Sequence, residues 1–264
     1  MIRRIIGRMS GGNRPGNCVM YHIGRCGSGV LASLLRQHRN IYWDGEVYTP
    51  VFTEWREKHG GVETAESFPE DPVKRLEKRM VLACNSFYGF EIKPFHHRLI
   101  NCPAETFIGH LDELGFTHFI ILDRKNRLRK IMSSIIAHER TGKYHSKKGK
   151  EAVLNSVSVN ADEVKIDFET KPLLKYLSDY DAQFDDLGRV LQGRNVLKLT
   201  YEDDIQDDPE KAYRRVCGFL DLKPKKVSVG LSRTNPFPIR EMVTNIEEIE
   251  ELLSGTPYEW MLKD

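Results

Sequence analysis

Residues 24–29, with the sequence GRCGSG, combine residue types that can bind an anionic group. Glycine lets the backbone approach an anion closely and turn its N–H groups toward it. Arg25 adds a cation and Ser28 a hydroxyl, and a helix that begins after the loop adds the positive end of its dipole. The pattern predicts a site for a phosphate or sulfate group. The competing interpretation is a strand–helix turn that binds no ligand.

The residues that follow the loop limit the class of nucleotide-binding loop to which it can belong. An ATP-binding P-loop has the form GxxxxGK[ST], in which the lysine reaches the terminal phosphates. Here Gly29 is followed by Val30 and Leu31, so the lysine and the magnesium-binding hydroxyl are both missing. The spacing of Gly24, Gly27 and Gly29 does not give the GxGxxG dinucleotide fingerprint either. A P-loop nucleotide kinase stays an alternative, but the loop does not favour it.

A second group of polar residues follows the apolar segment THFIIL. The sequence DRKNR (residues 123–127) comes directly after it, and Ser133 lies farther along the next predicted helix. A cation at the end of a strand and a serine two helical turns later can bind one phosphate together. The same charges are also typical of an exposed helix start.

The elements that position both groups alternate between strand and helix patterns. Such alternation predicts an α/β fold in which a central parallel sheet is flanked by helices. Ligands of these folds bind at the carboxyl ends of the strands, where both groups are expected to lie. The predicted strands are residues 18–23, 41–43, 87–93, 117–122 and 196–200. The predicted helices are residues 30–38, most of 50–85 with Pro72 in a first turn, 105–114, 126–140, 172–192, 209–220 and 246–253.

The composition of the whole chain limits the classes of function. Its 264 residues suit one large α/β domain or two small ones. A net charge of +2, from 40 basic and 38 acidic side chains, argues against a dedicated nucleic-acid binder but allows a local basic pocket. No apolar run approaches the ~20 residues of a membrane span, and residues 1–9 lack the apolar region of a secretory signal. We therefore expect a cytoplasmic protein without stable membrane insertion.

The cysteines lead to the same expectation about the compartment. The chain has five cysteines, and no two of them have CxxC spacing. An odd number without paired spacing argues against a disulfide framework or a zinc site and favours a reducing compartment. No other metal-ligand spacing is present in the sequence, so no metal is predicted.

Four stretches of the chain together resemble the sulfotransferases that use 3′-phosphoadenosine 5′-phosphosulfate (PAPS). HIGRCGSGVLASLL is similar to the loop that grips the 5′-phosphosulfate in the bacterial carbohydrate branch, which includes the nodulation-factor and trehalose enzymes. FIILDRKNRLRKIMSS resembles the segment that grips the 3′-phosphate. LKLTYEDDIQDDPEKAYRRVCGFLDL and SRTNPFPIREMVTNIEEIEELLSGTPYEWML resemble the later strand and helix and the C-terminal part.

The resemblance covers most of the chain, apart from residues 50–85 and 141–170. It implies one three-layer, P-loop-like domain over residues 1–264, with variable acceptor-side segments near 44–85 and 141–170. It also implies the reaction: the sulfuryl group of PAPS passes to a hydroxyl of a carbohydrate or glycolipid, adenosine 3′,5′-bisphosphate (PAP) is released, and no metal takes part. A non-catalytic protein that binds PAP or a sulfated glycan is an alternative with the same fold.

The resemblance assigns the residues of the 24–29 loop to the donor phosphosulfate. Arg25 stands where the family has a lysine or arginine that neutralises the leaving phosphate, and a fixed cation there stabilises the charge that builds on the bridging oxygen. Gly27, Ser28 and Gly29 match the backbone cradle. Cys26 stands inside the same cradle, where the family usually has a serine, and we assign it no catalytic role.

A second set of residues is assigned to the rest of the nucleotide. Ser133 matches the serine that binds the 3′-phosphate. Its cationic partner is open, because many relatives have an arginine eight residues before the serine, where this chain has Lys125. The bacterial branch has it nine residues before, where this chain has Arg124. Arg233 is expected to add a contact to the nucleotide.

Two residues are candidates for the general base that takes the proton of the acceptor hydroxyl. Glu46, in WDGEVY, matches a glutamate found after the phosphosulfate loop in the trehalose-type enzymes. His96, in EIKPFHH, resembles the Lys-x-His stretch of the cytosolic steroid and phenol sulfotransferases, with one extra residue after Lys93. Glu46 is the favoured candidate, and His96 is the alternative.

Overall fold

The computed structural model of the chain describes residues 14–58, 70–141, 146–147, 149, 151–166 and 169–263. These residues form two compact units. The first, called here the sheet unit, comprises the described residues up to Asp123 together with Leu187–Ser228. The second unit comprises Arg124–Asp186 and the described residues from Val229 onward. The assignment of one sulfotransferase domain to the whole chain stays a prediction.

The strands alternate with helices along the chain, as the sequence pattern predicts. The strands are β1 (Asn17–His22), β2 (Ile41–Glu46), β3 (Phe87–Ile92), β4 (Phe116–Asp123), β5 (Ser146–Lys147), β6 (Val164–Ile166), β7 (Glu169–Lys171), β8 (Val196–Thr200) and β9 (Leu231–Ser232). The helices are α1 (Ser28–Leu35), α2 (Thr49–Lys58), α3 (Pro72–Met80), α4 (Pro94–Leu99), α5 (Ala104–Glu113), α6 (Arg127–Ile136), α7 (Leu173–Val190), α8 (Tyr201–Asp204), α9 (Pro209–Phe219), α10 (Ile239–Met242) and α11 (Ile246–Leu253).

The sheet unit is built on five parallel strands in the order β2-β3-β1-β4-β8. The predicted class, a central parallel sheet flanked by helices, is therefore confirmed. Every residue of β1 and β3 is buried, as expected for parallel strands that are covered on both faces. His22 is in register with Leu122, and Tyr21 is in register with Ile92, so the strands β1, β3 and β4 end at one edge of the sheet.

A glycine on β3 makes room for an aromatic side chain on the neighbouring strand. Trp43 on β2 is in register with Gly89 on β3. A Cβ atom at Gly89 would lie 2.3 Å from Cε3 of Trp43, so no other residue type fits beneath the indole. The indole Nε1–H in turn donates to Oε1 of Glu91 at 2.9 Å. This packing fixes the lateral position of β2 against β3.

A buried ion pair joins β2 to α3. Only 2% of the Asp44 side chain is exposed, and its carboxylate pairs with the guanidinium of Arg79, whose Nε lies 2.8 Å from Oδ2. The hydroxyl of Tyr88 on β3 donates to the same oxygen at 2.9 Å. The Asp44 carboxylate thus has charge compensation and hydrogen bonds in a site with little access for water.

Element boundaries differ from the predicted ones by a few residues. Helix α1 starts two residues earlier than predicted and ends three residues earlier, and β2 runs three residues farther. Helix α3 begins with Pro72 as predicted, and the Asp71 side chain caps it by accepting from the N–H groups of Val73 and Lys74. Pro94 ends the strand pattern as expected, but it also begins helix α4, which the sequence pattern does not predict. Residues 59–69 of the predicted helical segment 50–85 lie outside the described residues.

The second unit contains two short antiparallel pairs, β5 with β9 and β6 with β7. Helix α6 continues into a π-helical turn over Ala137–Thr141. The described part of the predicted variable segment 141–170 includes buried side chains, among them Val157 and Val159. The side chain of Asn245 bonds both the N–H and the carbonyl of Val159, which ties this stretch to the start of α11.

All five cysteines lie within the described ranges and are free thiols. Among the described residues, none of the helices combines the length and the apolar character that a membrane span needs.

Candidate functional site

The loop between β1 and α1 has a backbone conformation that depends on glycine. Gly24, Arg25 and Gly27 have φ angles of +72°, +53° and +83°. A Cβ atom at Gly27 would lie 2.7 Å from Cγ2 of Ile205 and 3.1 Å from Cδ2 of Tyr201. Any side chain at this position would therefore be strained both by the backbone and by its neighbours. Gly27 is also the N-cap of α1, and as a glycine it provides no side-chain cap for that helix.

Hydrogen bonds link the start of this loop to side chains on β1, β2 and β3. The backbone N–H of Gly24 donates to Nδ1 of His22 at 3.0 Å. The other ring nitrogen of His22 lies 3.1 Å from Oε2 of Glu91, and Trp43 donates to Oε1 of the same carboxylate. His22 and Glu91 are both buried. The sequence pattern does not single out these residues, although His22 and Glu91 are polar residues near the ends of apolar strands, which was a visible signal.

Glu46 and Lys93 form an ion pair beside the same loop. Glu46 is the last residue of β2, Lys93 follows β3, and the ammonium Nζ lies 2.8 Å from Oε1 of Glu46. The lysine also approaches the loop, because a Cβ atom at Gly24 would lie 3.9 Å from Nζ. Lys93 therefore places a cation between the loop and the favoured base. In the sequence, Lys93 stands out only through the Lys-x-His comparison, which gives it no role of its own.

The environment of Glu46 keeps its carboxylate ionised. Burial alone would raise the pKa of Glu46, but the positive charge of Lys93 outweighs it and lowers the pKa to about 2. A carboxylate with so low a pKa is ionised at neutral pH, and it is a weak base while Lys93 stays bound to it.

His96 is fully buried, and both of its ring nitrogens have polar neighbours. Nδ1 accepts the backbone N–H of Lys93 at 3.0 Å, and Nε2 lies 2.7 Å from Oγ1 of Thr49. The Thr49 hydroxyl donates to Oε2 of Glu46 at 2.7 Å. Burial lowers the pKa of His96 well below its usual value, and the charge of Lys93 lowers it further, so the ring is neutral. The structure thus brings the two candidate bases together through Thr49, which the sequence analysis did not identify.

The remaining predicted residues of the donor loop all belong to the sheet unit. Arg25 is half-buried, and Cys26 and Ser28 are buried. Ser28 and Gly29 form the first turn of α1, next to the N-cap Gly27. The loop residues and Glu46 with His96 therefore lie near the carboxyl edge of the parallel sheet, where the strand–helix alternation predicts a ligand site.

The residues predicted for the 3′-phosphate belong to the second unit. Ser133 is buried on α6, and its Oγ accepts a hydrogen bond from Nδ2 of Asn235 at 3.1 Å. Arg124 is half-buried and Lys125 is exposed, which leaves the choice between them open. Arg233 is exposed and lies two residues before Asn235 in the chain. Asn235 is a further polar neighbour of Ser133 that the sequence analysis did not single out.

Three acidic or histidine side chains of the sheet unit lie close enough together that they could hold a metal ion. His22, Glu46 and Glu91 each offer a ligand atom, and these atoms all lie within 4.8 Å of one another. Lys93 and Trp43 already donate to the two carboxylates. A metal ion would therefore compete with the Lys93 ammonium for Glu46.

No protein-family model matches this chain, and no curated protein matches it. The likeness to PAPS-dependent sulfotransferases accordingly depends on the four stretches quoted above and on the chemistry of the residues in them.

Proposed function

We propose that this chain is a PAPS-dependent sulfotransferase with a P-loop-like fold, which transfers the sulfuryl group to a hydroxyl of a carbohydrate or glycolipid. The observation that supports the proposal most is the position of Lys93, whose ammonium lies close to the loop at Gly24 and to the carboxylate of Glu46. A cation for the leaving group and an ionised carboxylate for the acceptor are the two charges that this reaction needs.

The donor binds with its 5′-phosphosulfate on the 24–29 loop. The backbone N–H groups of the loop and the N-terminal end of α1 stabilise the oxyanions, and Arg25 and Lys93 supply positive charge. Charge develops on the bridging oxygen as its bond to sulfur breaks, so these cations stabilise the transition state more than the bound donor.

Glu46 serves as the general base. Once the phosphosulfate attracts the Lys93 ammonium, the positive charge that keeps the pKa of Glu46 at about 2 acts less strongly on the carboxylate. Its pKa then rises, and it becomes a better acceptor for the proton of the acceptor hydroxyl. The donor and the base are thus coupled through one lysine.

The direct test is transfer from ³⁵S-labelled PAPS to a panel of trehalose, glucose, N-acetylglucosamine and glucosylceramide, with the product identified by mass spectrometry. We expect a sulfated product and release of PAP. Arg25→Ala should reduce the turnover number by about 10²–10³-fold, as the loss of one oxyanion-binding donor does. Arg39→Ala, an exposed arginine after α1, is the matched control. Binding of PAP without transfer to any hydroxyl would favour a non-catalytic binding protein, and magnesium-dependent consumption of ATP would favour a kinase.

The role of Ser133 has an independent binding test. Calorimetric titration of PAP and of adenosine 5′-monophosphate separates the contribution of the 3′-phosphate. Ser133→Ala should weaken the binding of PAP and leave the weaker binding of the monophosphate unchanged. Ser134→Ala is the control, because its hydroxyl bonds the carbonyl of Lys130 within the same helix. An equal loss for both nucleotides would exclude a specific role of Ser133 at the 3′-phosphate.

A further inference from the structure

Thr49 lies between the two residues that the sequence offers as the base. Its Oγ1 is 2.7 Å from Oε2 of Glu46 and 2.7 Å from Nε2 of His96. It is the first residue of α2, three positions after the end of β2. A hydroxyl has one proton, so Thr49 can donate one of these two hydrogen bonds and must accept the other. Which of the two it donates decides whether it can hold the Glu46 carboxylate.

The backbone of Lys93 sets that direction. Its N–H donates to Nδ1 of His96, so the lone pair of Nδ1 is occupied and the proton of the neutral ring lies on Nε2. Nε2–H then donates to Thr49, and the Thr49 hydroxyl is left to donate to Glu46. The polar contacts therefore run one way, from His96 through Thr49 to the Glu46 carboxylate.

The same lysine binds the other oxygen of the carboxylate. The Lys93 ammonium holds Oε1, and Thr49 holds Oε2. Before the phosphosulfate binds, these two donors on separate elements fix both the position and the plane of the carboxylate. When the phosphosulfate attracts the Lys93 ammonium, the Thr49 hydroxyl still holds the base within reach of the acceptor proton.

We propose that His96 and Thr49 are positioning residues, in which His96 orients the Thr49 hydroxyl so that it holds the Glu46 carboxylate for proton transfer. The inference rests on the proposed sulfotransferase function. In the reaction the acceptor oxygen forms a bond to sulfur, and its proton passes to Glu46. The bond from sulfur to the bridging oxygen breaks, and its electron pair stays on the 5′-phosphate. Thr49 and His96 keep their protons throughout.

The inference predicts that the two residues act in series. Thr49→Val keeps the shape of the side chain and removes the hydroxyl, and it should lower the turnover number by about tenfold to a hundredfold with little change in KM for PAPS. His96→Leu should cause a loss of similar size. The double variant should be no slower than the slower single variant, because each change breaks the same connection.

Conservative variants separate this role from a general loss of folding. Thr49→Ser restores the hydroxyl, and His96→Gln restores an N–H donor near the position of Nε2, so each should recover most of the lost activity. Thr117→Val is the matched control, since Thr117 also contacts a histidine, His118, but near the start of β4. The assay uses ³⁵S-PAPS with the fastest acceptor of the panel. If no acceptor reacts, release of PAP by transfer to water is measured.

A spectroscopic readout makes the inference independent of turnover. Imidazole ¹⁵N shifts of His96 should give the neutral form with the proton on Nε2. In Thr49→Val the pKa of Glu46, followed by side-chain ¹³C shifts, should rise, because the ionised form loses a hydrogen bond. The charged and titratable groups that also face Glu46 are Lys93, His22, His96 and Glu91, and all of them are unchanged in this variant.

Distinct results would overturn the inference or the proposed function. Additive losses in the double variant would show that the two residues act independently. A near-normal Thr49→Val beside an inactive His96→Leu would exclude Thr49 as the link and favour His96 as the base. A proton on Nδ1 would reverse the direction of the hydrogen bonds and exclude the positioning role. The NMR spectra and the PAPS assays can also disagree. If the spectra of His96 and Glu46 are as expected but wild type neither binds PAP nor consumes PAPS, the hydrogen bonds from His96 through Thr49 to Glu46 exist and the proposed function is wrong.

Discussion

The ammonium of Lys93 lies 2.8 Å from Oε1 of Glu46, at the edge where β2 and β3 end. The two residues are far apart in the sequence, and they meet because β2 and β3 are adjacent in the sheet. The pair keeps a carboxylate ionised beside a loop suited to bind an anion. Two properties of the protein should depend on it, the titration of Glu46 and the stability of the fold in acid.

Removal of the lysine charge should raise the pKa of Glu46. Burial raises the pKa of Glu46, and the charge of Lys93 is the main factor that lowers it. Lys93→Met removes that charge, so the carboxyl should titrate well above about 2. The measurement is a pH titration of side-chain ¹³C shifts, with the Glu46 signal assigned from Glu46→Gln. Lys74→Met, which removes an exposed lysine on α3, should leave the titration unchanged. A Glu46 pKa that stays near 2 in Lys93→Met would mean that another group holds it down.

The low pKa of Glu46 also predicts how stability changes with pH. A carboxyl whose folded pKa is depressed contributes stability above its unfolded pKa of about 4.5, and this contribution is lost as the pH falls toward about 2. The free energy of unfolding of wild type should therefore drop more steeply from about pH 5 to about pH 3 than that of Glu46→Gln. Urea denaturation at these two pH values measures the difference. Equal slopes would contradict a stabilising ion pair at Glu46.

Gly27 should tolerate no side chain. Gly27→Ala would place a Cβ atom 2.7 Å from Cγ2 of Ile205 on a backbone with φ of +83°, and the two effects together should cost about 2 kcal/mol or more. The measurements are the free energy of unfolding and the affinity for PAP, and both should fall. Gly188→Ala is the control, because the added methyl group on helix α7 meets no atom within 4 Å. That variant should be neutral or slightly more stable. If Gly27→Ala is as stable as wild type, the loop does not pack tightly against Ile205.

The sequence was sufficient for the five strands of the parallel sheet and for most of the longer helices, and insufficient for the connections between them. Strand β8 begins and ends at the predicted residues, because its apolar pattern and the turn residues around it are local signals. The Trp43–Glu91 hydrogen bond joins residues 48 positions apart, and the Thr49–His96 contact joins residues 47 positions apart. Both require that β2 lie beside β3, and periodicity does not determine strand order. The predicted residues Glu46 and His96 are indeed adjacent, but Thr49 and Lys93 gain their roles only from that order.

The buried pair of Asp44 and Arg79 gives a prediction about stability alone. In Arg79→Met the Asp44 carboxylate, with 2% of its side chain exposed, keeps the Tyr88 hydroxyl but loses its countercharge. An uncompensated buried charge costs about 3 kcal/mol, at the low end of the usual range because the Arg79 side chain is 38% exposed. The free energy of unfolding of Arg79→Met at neutral pH should therefore lie below that of wild type by this amount.

Urea denaturation at neutral pH tests this prediction, and two further variants isolate its cause. Adding Asp44→Asn to Arg79→Met should recover much of the loss at neutral pH, since an amide oxygen still accepts from Tyr88 and carries no charge. Arg214→Met breaks an ion pair with Asp208 whose side chains are 50% and 52% exposed, and it should cost less than about 1 kcal/mol. If Arg79→Met costs no more than Arg214→Met, the Asp44 carboxylate reaches solvent when its partner is removed. The burial of Asp44 would then be a consequence of the Arg79 contact rather than of the packing between β2 and α3.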